Sequence, residues 1–394
     1  MKYMNVKRNA RVIAFYLPQF HPIPENDLWW GKGFTEWTNV GKAKPLFKGH
    51  DQPRVPADLG YYDLRMPEVR EAQALLAKDA GIEGFCYWHY WFGNGKQLLE
   101  RPFNEVLSSG SPDFPFCLCW ANHSWTNKTW QAGSTKFSNS MLQEQLYPGE
   151  RDYIDHFYHV LKAFNDPRYI TVDGKPLFVI YAPLDIPDVE HFISIWKNLA
   201  VKEGLKGIHF VGIVQYKAES GRGESLLKKL KMLKNDSWSS RYDELLNLGL
   251  DAVSSRGLFR AECLAVGKYK RLLNALCSKL LKENYIQKYK YADVVRHLYT
   301  EDDSRENIYP TLWPMWDRTA RAGKKAVIYY ENSPKAFQDS VKEACDLIKN
   351  KEAEHKILFL QAWNEWGEGC YVEPDIKYGH AYLDAIKNVI VNNN

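Results

Sequence analysis

The sequence is short of several things that would each have named a function class. It has no run of about 18 apolar residues, so no membrane-spanning helix is expected. It has no excess of one charge: 52 basic and 48 acidic residues leave a net +4. Nucleic-acid binding calls for a clustered excess, and no nucleic-acid partner is expected. No G-x-G-x-x-G follows the first apolar run, where Leu17-Pro18-Gln19-Phe20-His21 stands instead, and no G-x-x-x-x-G-K-[ST] occurs. No metal-binding acidic pair sits on a nucleotide-sugar frame; Asp302-Asp303 falls in a polar loop. The seven cysteines (86, 117, 119, 263, 277, 345 and 370) are odd in number, and Cys117-Leu118-Cys119 has no second pair at zinc-ligand spacing. They read as free thiols of a reducing compartment. The first residues lack an apolar signal core, so the expected location is the cytoplasm. Histidines 21, 89 and 123 show neither His-x-His nor His-x₃-His spacing, and neither metal nor cofactor is expected.

What is present in excess is aromatic: 14 Trp, 24 Tyr and 18 Phe. Flat aromatic faces suit the apolar faces of pyranose rings, whereas a large core would hold many of them for packing alone. Trp30, Trp37, Trp88, Trp91, Trp120 and Trp125 are candidate platforms, about half of them expected in the core.

Apolar runs alternate with helical patterns. Strands are expected at Arg11 to Leu17, Ile82 to Trp91, Phe114 to Ala121, Leu177 to Tyr181, Ile208 to Val214, Ala252 to Ser255, Tyr309 to Trp316 and Ile357 to Leu360. A long aromatic loop is expected from Pro18 to about Met66. Such alternation argues for a parallel sheet, and the number of units fits an α/β fold closed as a single (β/α)₈ TIM barrel, one domain over residues 1–394. Several strands turn polar and aromatic at their C-terminal ends, which a barrel gathers at one mouth.

The last strand does so most abruptly: Leu360-Gln361-Ala362-Trp363-Asn364-Glu365-Trp366-Gly367-Glu368-Gly369 places two glutamates three residues apart just past it. Glycosidic-bond chemistry needs one group to protonate the leaving oxygen and another to supply or activate a nucleophile. Burial or a like-charged neighbour would keep one carboxyl protonated. The competing reading is a solvated turn capping a helix. Glu36 and Asp317, on other expected mouth loops, would bind sugar hydroxyls or form salt bridges. Histidines 21, 89 and 123 would bond sugar hydroxyls, support a glutamate, or be satisfied structurally.

Phe15-Tyr16-Leu17-Pro18-Gln19-Phe20-His21-Pro22, Trp30-Gly31-Lys32-Gly33-Phe34-Thr35-Glu36-Trp37-Thr38-Asn39, Tyr87-Trp88-His89-Tyr90-Trp91-Phe92, Cys119-Trp120-Ala121-Asn122 and the Trp363–Gly369 block resemble the WbsX-type family. That is the glycoside hydrolase family 99-like group, labelled as glycosyltransferases of lipopolysaccharide and O-antigen biosynthesis. The resemblance implies a (β/α)₈ barrel with no metal. It implies catalysis by Glu365, as base toward a sugar 2-hydroxyl through an epoxide-like intermediate, and by Glu368, as acid/base at the leaving oxygen. The expected substrate-binding set is Glu36, Trp37, Trp88, His89, Trp120, Asn122, Trp316, Asp317, Asn364 and Trp366. The chain departs from the family pattern at His123-Ser124, where Glu-Asn is usual, and at Arg318, where Asn is usual.

Two functions stay open at this point. One is a carbohydrate-active enzyme on bacterial surface polysaccharide, hydrolytic or transferring. The other is a non-catalytic glycan-binding barrel. From Leu264 to Lys290, seven basic residues and one acid accompany leucines at helical spacing. That stretch reads as a barrel helix with a solvated basic face, or as a peripheral contact with the inner membrane face suited to a lipid-linked glycan.

Overall fold

The computed structural model describes residues 8–127, 140–215, 236–267, 273–274 and 286–391. Among these, eight strands form the barrel: β1 (Arg11–Tyr16), β2 (Ile82–His89), β3 (Phe116–Trp120), β4 (Lys175–Ile180), β5 (His209–Ile213), β6 (Ala252–Ser255), β7 (Ile308–Leu312) and β8 (Ile357–Leu360). Each pairs in parallel with the next, and β8 pairs with β1 through Arg11↔Ile357 to Ala14↔Leu360, which closes the ring. Thr171–Val172 adds a short antiparallel edge to β4.

The strands are apolar on both faces because helices cover the outside while side chains fill the inside. All four residues of β8 are fully buried. Inside the barrel, Phe15 stacks on Trp88 at 4.9 Å and on Phe359 at 5.2 Å. The polar residues inside are paired: Ser254 and Thr311 share a 3.0 Å hydrogen bond, and His209 lies 3.1 Å from the Tyr309 hydroxyl. Outer helices begin where the sequence supplies a start signal. Pro67 opens Pro67–Asp79, and Ser333 caps Pro334–Ile348 by accepting from the Ala336 N–H at 3.2 Å.

The eight strands begin within two residues of the expected starts, although β7 ends at Leu312 and leaves Trp313–Trp316 as an approach to the mouth. The expected long loop carries two helices, Pro24–Trp30 and Glu36–Lys42. Most of the basic stretch 264–290, with its expected amphipathic helix and membrane contact, lies outside the described residues. Its end is not helical: Gln287–Lys290 is a strand paired in parallel with Val327–Tyr330. There Lys288 sits 4.1 Å from the Phe47 ring, and Lys290 pairs with Glu331 at 3.1 Å. No helix among the described residues is long and apolar enough to cross a membrane.

Candidate active site

The segment after β8 is fixed to β1 from below. The Trp363 N–H donates to the Phe15 carbonyl at 2.7 Å, and the Asn364 side chain bonds both backbone groups of Leu17, at 2.8 and 3.1 Å. Asn364–Glu365 then pairs with Cys370–Tyr371, and Trp366–Glu368 forms a single tight turn between them. The turn leans on the approach from β7, where the Asp317 N–H donates to the Glu368 carbonyl at 2.8 Å.

Gly367 permits a close approach. A Cβ there would lie 2.0 Å from Oε2 of Glu36, so no larger residue fits without displacing that carboxylate. Gly369 adopts a φ of 56°, and its Cβ would meet the Asp317 carbonyl at 2.7 Å.

This packing gathers three carboxylates around Arg321, which stands on the short helix Thr319–Ala322. Its guanidinium reaches Glu36 at 2.8 Å, Glu365 at 2.6 Å and Glu368 at 2.9 Å. Arg318 adds a second ion pair to Glu368 at 3.0 Å. Glu365 and Glu368 are therefore separated by no more than one guanidinium and two ion-pair contacts.

The two glutamates differ electrostatically. Burial pushes Glu365 well above the ordinary glutamate value; Arg321 opposes this, while Glu368 and Glu36 add to it. Burial also pushes Glu368 upward, but Arg318, Arg321 and Arg256 outweigh it and hold that carboxyl below its ordinary value. Glu36, wholly buried, is raised by burial against the pull of Arg321. The protein thus favours a proton on Glu365 and a charge on Glu368.

Both glutamates open into a cavity of about 310 Å³ at the C-terminal ends of the strands. Trp88, Tyr90, Trp125, Tyr181 and His123 line it, together with Gln19, Gln361, Arg256, Arg318 and Arg321. Trp125 stands edge-on to Tyr90 at 5.0 Å, and His123 packs on Tyr181 at 5.0 Å. Burial lowers the His123 imidazole to about 4. Among the described residues no group of three or more His, Cys, Asp or Glu side chains could hold a metal ion.

Of the ten residues expected to bind substrate, only Trp88 lines this cavity with the glutamates. The others support it or lie elsewhere. Glu36 is walled off behind Arg321 and Gly367. Trp37 donates from its indole N–H to the Tyr62 carbonyl at 2.7 Å and packs on Trp366 at 5.4 Å. Trp120, 1% exposed, donates to the Trp91 carbonyl at 2.9 Å and belongs to the core. Asn122 is consumed by both backbone groups of Ala182, each at 2.8 Å. Trp316 packs edge-on against Trp313 at 5.4 Å.

Asp317 is a structural anchor: it accepts from His50 and Gln52, each at 2.9 Å, and from the Thr319 hydroxyl at 2.7 Å. Burial would raise it, but His50, Arg54 and Gln52 bring it down to about 2. Asn364 is spent on Leu17, and Trp366 donates to Glu373 at 2.6 Å while stacking on Tyr371 at 3.7 Å. His89 faces a different groove, 2.9 Å from His156, and burial lowers it to about 3. His21 is buried away from the cavity, and burial lowers its imidazole to about 4. Most of these side chains are taken up by backbone and side-chain partners of neighbouring segments, while other residues at the strand ends, such as Tyr90, Tyr181 and Arg256, line the cavity.

Sequence reasoning missed Arg256, Arg321, Tyr90 and Tyr181, and noted Arg318 only as a departure. A signal was available. Arg318 and Arg321 stand three residues apart past β7, matching the spacing of Glu365 and Glu368 past β8. It also missed Glu373, which accepts from Tyr62 at 2.9 Å and from Gln73 and Trp366 at 2.6 Å, beneath the Trp366–Glu368 turn.

The sequence profile of the family described as glycosyltransferase WbsX matches residues 12–386. The protein WxcX of Xanthomonas campestris pv. campestris, described as uncharacterized, is 34% identical over 382 residues. The match covers 97% of this chain and 50% of WxcX, so the chain spans about half the length of the curated relatives it matches. In fold it is similar to a structure described as a glycoside hydrolase-like protein, with a TM-score of 0.59 at 15% identity over 100% of this chain and 97% of the other. A GH99 endo-α-mannosidase from Bacteroides thetaiotaomicron, in complex with BIS-TRIS-propane, superposes with a TM-score of 0.54 at 14% identity, covering 97% and 96%. The fold is thus that of GH99-type barrels. The chain belongs to the WbsX glycosyltransferase family.

Proposed function

We propose that the barrel mouth breaks or transfers glycosidic bonds in bacterial surface polysaccharide, of the O-antigen or lipopolysaccharide kind, with Glu365 and Glu368 as the acting pair. The observation that carries this reading is the sharing of Arg321 by two mouth-facing glutamates whose protonation the surroundings drive apart. Two titratable groups pushed in opposite directions supply an acid and a base from one chemical type.

The electrostatics favour a division of roles opposite to the one the family resemblance implies. A carboxylate between two guanidiniums is a poor proton donor, and Arg318, the departure from the family pattern, is one of the two. We therefore assign the acid role to Glu365: its proton passes to the leaving oxygen as the carbon–oxygen bond breaks. Glu368 takes the proton of the hydroxyl that attacks the anomeric carbon. Trp88 and Tyr90 supply aromatic surface for the ring. Arg321 is a positioning residue that holds both carboxylates and keeps Glu36 as its counter-ion behind them.

One observation favours a second reading, a glycan-binding barrel without turnover. All three carboxylates are already paired with arginine in the free protein. Incubation with a panel of bacterial surface glycans separates the two. Turnover by the wild type that is lost in Glu365→Gln and in Glu368→Gln supports the enzyme. Binding without turnover supports the binding barrel, and undiminished turnover in both variants rejects the assigned pair.

A further inference from the structure

Arg256 follows directly on β6 and lines the same cavity as Glu365 and Glu368. Its guanidinium lies 5.3 Å from the Trp313 ring and 5.9 Å from the Tyr181 ring. Aromatic faces orient a guanidinium without neutralising it. Among the described residues no carboxylate comes within ion-pair distance of Arg256, unlike Arg318 and Arg321, although Arg256 lies near enough to Glu368 to help keep it ionised. The cavity wall therefore presents three guanidiniums, and the carboxylates Glu36, Glu365 and Glu368 are all engaged by Arg318 and Arg321, leaving Arg256 without a direct ion pair among the described residues. Arg318 keeps a third of its side chain exposed, above the Trp316 ring.

A neutral sugar presents hydroxyls, which need no cation. A carboxylate or phosphate matches the planar fork of a guanidinium with two parallel hydrogen bonds. A partly buried cation with no direct ion pair keeps its hydrogen-bonding fork unsatisfied by charge, so an anionic ligand group that pairs with it gains a contact the described residues do not supply.

We propose that the substrate carries an anionic group, seated on Arg256 with support from Arg318, beside the glutamate pair. The group is either the carboxylate of an acidic sugar or the diphosphate of an activated or lipid-linked glycan. This inference rests on the mouth being a glycan site, as proposed above.

Calorimetric titration of the full chain tests it with three probes: acidic bacterial polysaccharide fragments, the same fragments with their carboxyls chemically reduced to alcohols, and inorganic pyrophosphate. Binding of the acidic fragments that falls about tenfold or more on carboxyl reduction, and as far in Arg256→Gln, supports the inference with a sugar acid as the source. Pyrophosphate binding lost to the same degree in Arg256→Gln supports it with a diphosphate as the source. Arg256→Lys, which keeps the charge without the fork, should recover part of either loss. If Arg256→Gln fails to fold, Arg318→Gln serves as the comparison, with the same loss expected. Equal binding of native and reduced fragments, unchanged in the variant, overturns the inference and leaves the glycan site standing. No binding of any fragment or of pyrophosphate overturns both.

Discussion

Gly367 and Glu36 come from opposite ends of the chain and fit each other so closely that a methyl group on Gly367 would lie 2.0 Å from Oε2 of Glu36. Glu36 is wholly buried and tied to Arg321, so it has nowhere to retreat. Gly367→Ala should therefore lower stability by about 1–3 kcal/mol, as overpacking does. It should also lower turnover, because Arg321 moves with Glu36. Thermal unfolding and activity measured together check this; a variant with wild-type values in both would show that the turn is looser than described.

Arg321 is the shared counter-ion of Glu36, Glu365 and Glu368. Arg321→Met should destabilise the fold by about 3–5 kcal/mol, since it leaves buried charges unpaired. Arg321→Lys keeps the charge but cannot serve three carboxylates from one planar fork. It should remain folded and lose activity by about a hundredfold. Denaturant titration measures the first effect and kcat the second.

Arg318 helps to hold the Glu368 carboxyl below its ordinary value. In the proposed mechanism Glu368 acts while ionised, so a low value would keep activity further into acid. Removing Arg318 raises that value, and the acid limb of the pH–rate profile should move to higher pH in Arg318→Asn. The alkaline limb, set by loss of the Glu365 proton, should move less. An acid limb that stays in place would free Glu368 from the control of Arg318.

Burial pushes the Glu373 carboxyl up to about 7, against its hydrogen bonds from Trp366, Gln73 and Tyr62. A carboxyl raised on folding binds more protons in the native state than in the unfolded one. Its contribution is fully present below about 4.5 and is lost as pH rises through about 7. Chemical denaturation at pH 5 and pH 8 should therefore show a fall in stability that is smaller in Glu373→Gln. An equal fall in both proteins would remove Glu373 as its source.

The barrel was legible in the sequence because its strands are short apolar runs, and burial on both faces leaves little else they can be. The position of Glu365 and Glu368 was legible for the same reason, since they follow such a run directly. The lining was not. Trp120, Asn122, Asn364 and Asp317 stand at or just beyond strand ends with the chemistry of binding residues, yet backbone and side-chain groups, many of them from distant segments, take their polar atoms. Those partners lie up to 347 residues away in sequence, a separation no local pattern reveals. Arg321 escaped notice because its role depends on Glu36, which is 285 residues away. The two arginines past β7 carried a hint in their spacing, but only the fold shows that they face the two glutamates.

The assignment of roles to Glu365 and Glu368 is open to one direct measurement that needs no substrate. Carbon-detected NMR titration of the side-chain carboxyls, assigned with Glu365→Gln and Glu368→Gln, follows the two protons separately. Glu365 should titrate well above the ordinary glutamate value and Glu368 below it. A Glu368 carboxyl that keeps its proton to higher pH than Glu365 would contradict the account and return the acid role to Glu368.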